Sequence, residues 1–67
     1  MSIARVTEIS STSNVGFEDA IKQGIERASQ TLRGITGAWI KEHNVMIENN
    51  AITAYRVNML ITFVLED

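Results

Sequence analysis

The order of apolar and polar positions predicts a β-α-β-β chain. Residues 3 to 9, from Ile3 through Val6 to Ile9, are rich in β-branched types with partial alternation, which reads as a first strand. Ser10, Ser11, Thr12, Ser13 and Asn14 follow as a polar cluster suited to a loop and a helix N-cap, with Ser13 or Asn14 as the cap. Glu18 and Asp19 then fall in the early turns, where the helix dipole favours acids. From Phe17 the period changes. Phe17, Ala20, Ile21, Gly24, Ile25, Ala28 and Leu32 form one stripe at helical spacing, and Glu18, Lys22, Gln23, Glu26, Arg27, Gln30 and Arg33 lie opposite. Arg33 in the last turn and Gly34 just past it predict the stop. Gly24 costs about 1 kcal/mol of helix propensity, so its place in a stripe of small residues predicts that the helix lies close against a sheet.

Two longer strands are predicted at 38–48 and 52–66, joined by a turn at Glu48-Asn49-Asn50, since asparagine tolerates positive φ. On the last strand Tyr55, Val57, Met59, Ile61, Phe63 and Leu65 share one apolar face that meets the helix. The opposite face reads Ala54, Arg56, Asn58, Leu60, Thr62 and Val64, too apolar for open solvent and too polar for a monomeric core. It has the character of a surface covered by another copy of the chain.

Size points the same way. A 67-residue chain, read here as one domain over 1–67, hides only about 60% of its unfolded surface on folding and calls for a disulfide, a metal or self-association. With no cysteine and one histidine, disulfides, thiolate metal sites and a histidine cluster are excluded, which leaves self-association. The formal net charge of −2, without any Lys/Arg-rich stretch, is not that of a nucleic-acid binder. The longest uncharged apolar stretch, 58–65, is far short of a bilayer span. No signal peptide is visible near Arg5, Thr7 and Glu8. The expectation is a soluble cytoplasmic protein that engages neither nucleic acid nor membrane.

No enzyme motif stands out. Gly16, Gly24, Gly34 and Gly37 are spread out, no nucleophile–base pair can be built around the single imidazole of His43, and the acids sit mostly at exposed helix positions or strand ends. Strand parity sets Trp39 with Gly37, Lys41, His43 and Val45 on one face. Trp39 is either an interface anchor or a stacking platform for a planar ligand. His43 is either a polar edge residue or a polar partner for a ligand near Trp39. Arg56 is either an ion-pair partner for Glu8, Glu42 or Glu48 across an interface, or a donor to an anionic or carbonyl-bearing ligand.

Over essentially its whole length the chain resembles the dodecins, small flavin-binding proteins. The resemblance is carried by Thr12-Ser13 with Gly16 shortly after, Ala20-Ile21 leading into Ile25-Glu26-Arg27-Ala28, Thr31-Leu32-Arg33, and Tyr55-Arg56-Val57-Asn58 running into Thr62-Phe63-Val64-Leu65-Glu66. It implies an α+β subunit whose three-stranded antiparallel sheet partly wraps one helix. It also implies a hollow homododecamer of cubic-type symmetry that binds flavins such as riboflavin, lumichrome or FMN in pairs at subunit contacts. Such proteins store, buffer or quench the flavin and turn over no substrate. In flavin-binding members a tryptophan near the start of the second strand stacks on the isoalloxazine, and a glutamine near the start of the third bonds its edge. Gapless alignment from Thr31-Leu32-Arg33 places Gly37 at the tryptophan position and Arg56 at the glutamine position, with Trp39 two residues on, about 7 Å by strand rise. Two readings follow. One is a flavin store using Trp39, Gly37, Lys41, His43 and Arg56; the other is a dodecin-like assembly without flavin that holds calcium or another small ligand.

Overall fold

The computed structural model describes residues 3–65. Four elements follow in the order β1 (Ala4–Ser13), α1 (Phe17–Ala28), β2 (Ile35–Glu48) and β3 (Ala51–Val64). Both outer strands pair antiparallel with β3, in the order β1-β3-β2. The β-α-β-β topology is the one expected from the pattern. The helix lies on one face of the sheet, against β1 and β3.

The odd-numbered row of β3 forms the core, because successive strand residues point to opposite faces. Val57, Met59 and Ile61 are fully buried, and Ala20 and Ala28 of α1 close over them, with Ile9, Phe17, Ile21, Ile25 and Leu32 packed around. Each large side chain so buried contributes roughly 1.5–3 kcal/mol. The small stripe does what its composition suggests. A Cβ added at Gly24 would sit 2.8 Å from Met59 Cε and 3.0 Å from Ser11 Cβ, so a larger residue would have to lift the helix off the sheet. Leu65 at the end of the expected row is exposed, and Glu66 lies outside the described residues.

Strand β1 is longer than the pattern indicated. Its serine-rich end stays in the sheet, with Ser10 to Ser13 opposite Asn58 to Tyr55. Hydroxyls make this possible by satisfying nearby polar groups at the sheet–helix junction. Ser11 Oγ donates to Ala20 O at 2.7 Å. Buried Ser13 Oγ donates to Asp19 Oδ2 at 2.6 Å and accepts from Val15 N–H at 2.9 Å and Gly16 N–H at 3.4 Å. The helix N-cap residue is therefore Gly16, neither Ser13 nor Asn14, while Ser13 tethers the turn just ahead of it.

The helix also stops earlier than the expected Arg33. Ser29 Oγ bonds Glu26 O and Thr31 Oγ1 bonds Ala28 O, local contacts that compete with helical continuation. Gln30 and Thr31 N–H groups turn back to the carbonyls three residues before them, and Leu32 N–H closes on Ala28 O at 2.8 Å. Gly34 (φ 75°) does not cap the helix. Its carbonyl accepts Val64 N–H at 3.0 Å, and a Cβ there would lie 3.1 Å from Val64 O. The turn between β2 and β3 matches the expectation: Asn49 (φ 52°) and Asn50 (φ 64°) form a two-residue loop closed by Glu48 opposite Ala51.

Candidate functional site

The face of the sheet turned away from α1 carries the exposed chemistry. Register places Gly37 beside Thr62, Trp39 beside Leu60, Glu42 beside Asn58 and Asn44 beside Arg56, while β1 contributes Glu8, Ser10 and Thr12 opposite Leu60, Asn58 and Arg56. Trp39 is 62% exposed there. Around Gly37 nothing approaches within 4 Å of where a Cβ would stand, so the strip beside the indole is open.

Strand β2 is irregular, and this corrects one expectation. The pairing slips between Ile40 and Glu42, so Lys41 is an extra residue in the ladder. An insertion of one residue resets parity, because side-chain direction has a period of two. Lys41 reaches across the outer face, its Nζ 3.2 Å from Glu8 Oε2, so it stays on the side of Trp39. His43 does not. It pairs with buried Val57, and its ring meets Phe17 edge-on with centroids 4.7 Å apart. Phe17 in turn meets Tyr55 at 5.1 Å. Val45, opposite Tyr55, has crossed to the helix side too. The structure thus brings Gly37, Trp39, Lys41 and Arg56 to one face and sends His43 to an aromatic cluster at the start of α1. The adjacent charges Lys41-Glu42, which break the alternation, are the sequence signal for this bulge.

Two of the three acids expected to partner Arg56 have other contacts within the subunit. Glu8 is taken by Lys41, the ion pair found among the described residues, and Glu42 Oε1 accepts Asn58 Nδ2–H at 3.1 Å. Arg56 is exposed, and among the described residues it bonds no side chain on this face. It also stands apart from Trp39. Their partners Leu60 and Arg56 itself are four positions apart on β3, about 13 Å at a rise of ~3.3 Å per residue. Among the described residues no group of three or more His, Asp or Glu is arranged to hold a metal, and no helix is long and apolar enough to cross a membrane. On the other side of the sheet a groove of about 580 Å³ runs between α1 and β1. It is lined by Ile9, Ser11, Gly24, Arg27, Ala28 and Leu32 among others.

The dodecin family model matches residues 3–66. The chain belongs to the dodecin family. Solved dodecins superpose on it closely. The dodecin from Streptomyces davaonensis is 35% identical with a TM-score of 0.94, covering 98% of this chain and 97% of that one. A Thermus thermophilus protein of the family is 30% identical with a TM-score of 0.94, covering 100% and 98%. The calcium dodecin of Mycobacterium tuberculosis, described with a novel calcium-binding site, is 23% identical with a TM-score of 0.83 over 97% and 93%, a likeness of fold. No curated protein matches the chain.

Proposed function

We propose that this dodecin is a flavin-binding storage protein and no enzyme, a single domain over 1–67 that assembles as a cytoplasmic homododecamer and takes riboflavin or FMN at its subunit contacts. The observation that carries this reading is the pairing on one exposed face of an uncovered indole, Trp39, with an empty strip at Gly37. A planar, electron-poor ring system fits such a place: it stacks on the indole while a glycine lets it lie near the backbone. The flavin supplies the tricyclic ring and the protein supplies the stacking surface. Lys41 and Arg56 offer N–H donors to ring carbonyls, ribityl hydroxyls or the FMN phosphate. His43 drops out of this set, because its side chain faces Phe17. Since Trp39 and Arg56 of one subunit stand about 13 Å apart, a ring held by both takes them from different subunits.

A second reading rests on the same two positions. Gly37 provides no stacking group where flavin-binding relatives have one, and Arg56 has no acceptor to offer a ring edge. On that reading the shell is dodecin-like without flavin and holds calcium or another small ligand. The variant Trp39→Ala separates the two. Storage through Trp39 is expected to lose riboflavin and FMN affinity by at least tenfold while the native mass of the assembly is unchanged. If Trp39→Ala binds flavin like the parent, or if flavin has no effect on either, the stacking role is wrong.

A further inference from the structure

The β2–β3 hairpin is much longer than the helix it supports. Fourteen residues in each strand reach about 46 Å, against about 18 Å for the 12-residue helix. The molecule is accordingly 51 Å long and 13 Å thin. The helix begins at Phe17, which packs on Tyr55. The hairpin runs on past that contact for four more residues of β3, Ala54 back to Ala51, so its tip is an arm with no helix over it. Ile47 and Ile52 face each other across this arm, 62% and 51% exposed. Glu48 is the one charge between them, and the pairing irregularity at Thr53, whose Oγ1 bonds Met46 O, holds the arm in shape.

The groove between α1 and β1 has the complementary character. Its floor is small and apolar, from Ile9, Gly24, Ala28 and Leu32. Among the described residues Arg27 is the one charged residue on its wall, and one of its guanidinium nitrogens donates to Gln30 Oε1 at 2.9 Å. The groove continues toward Thr31 and Leu32, at the far end of the helix from the arm. A chain cannot place its arm in its own groove.

We propose that the hairpin arm docks in the groove between α1 and β1 of a second copy, with Ile47 and Ile52 over Gly24 and Ala28 and the Glu48 carboxylate on the Arg27 guanidinium. This rests on the self-assembly proposed above and names the surfaces that carry part of it. The contact is heterologous, arm to groove, so it propagates around a ring and closes only when the rotation between subunits allows. A closed shell of cubic-type symmetry contains such three-membered rings.

The charge pair tests it. Glu48→Arg and Arg27→Glu each leave the subunit core untouched, and each is expected to shift the native mass at low micromolar protein from the full assembly toward smaller species by tenfold or more in population. The double variant is expected to recover the parent assembly. Ile47→Thr with Ile52→Thr, which keeps β-branched residues in the strands, is expected to weaken assembly at unchanged far-ultraviolet circular dichroism. If the double charge variant assembles no better than the singles, or the threonine variant assembles like the parent, the docking is overturned and the groove belongs to a ligand or a foreign partner. A parent protein that stays monomeric overturns the assembly and the docking together. An assembled parent whose variants assemble equally well overturns the docking alone.

Discussion

At the scale of single residues, a few small side chains hold the helix to the sheet. Ser13 is buried and makes three polar contacts at the entrance to α1, two to backbone N–H groups and one to Asp19. Replacing it by alanine removes the partner of a half-buried carboxylate contact and of two turn donors, and Ser13→Ala is expected to cost about 1–2 kcal/mol, read as a lower melting temperature at fixed protein concentration. Gly24→Ala sets two effects against each other. Alanine adds about 1 kcal/mol of helix propensity, but its methyl meets both Met59 Cε and Ser11 Cβ at 3.0 Å or less. The methionine end swings aside, whereas Ser11 Cβ is fixed by its strand. Overpacking of roughly 1–3 kcal/mol wins, and a net loss near 1 kcal/mol is expected from the same melts. By contrast Glu8→Gln breaks only a half-exposed ion pair with Lys41, which is expected to move stability by less than about 0.5 kcal/mol. Gly24 was legible from its neighbours Ala20 and Ala28. The work of Ser13 was not, because a serine-rich run reads as loop until its strand partners are known.

At the scale of elements, periodicity named all four, placed the helix start at Phe17 and the end of β2 at Glu48, and misplaced several of the other ends. The helix stripe and the apolar row of β3 are strong signals because each repeats over many residues, and both are borne out by the buried positions Ala20, Gly24, Ala28, Val57, Met59 and Ile61. The ends depend on local competition instead. Ser29 and Thr31 hydroxyls close the helix at Ala28, and Gly34 turns out to serve the sheet, contacts that no stripe encodes. The bulge at Lys41 is the costlier miss, since one inserted residue carried His43 from the Trp39 face to Phe17. The Asn49-Asn50 turn was legible, and its residues are needed: both have positive φ. Asn50→Val is expected to destabilise the hairpin by about 1–2 kcal/mol, the cost of a left-handed conformation for a residue with a branched Cβ. Chemical denaturation beside Asn50→Gly, which is expected to be neutral or better, checks this.

At the scale of the whole molecule, the subunit is a thin sheet with one helix and two exposed surfaces that want cover. Dodecin membership, argued from Thr12-Ser13, Ile25-Glu26-Arg27-Ala28 and Tyr55-Arg56-Val57-Asn58, holds over residues 3–66. The ligand is less legible than the family. Stacking and edge contacts are made by few side chains, and the resemblance sets Gly37 and Arg56 at the positions expected to carry them, with Trp39 two residues further on. What a displaced indole does depends on the neighbouring subunits that complete its surroundings. The most direct measurement is a fluorescence titration of riboflavin and of FMN with protein that has been unfolded, stripped of flavin and refolded. Saturable quenching of flavin emission, lost in Trp39→Ala, is the expected result. Flavin emission that stays unquenched up to high micromolar protein would contradict flavin storage and leave a dodecin with another ligand or none.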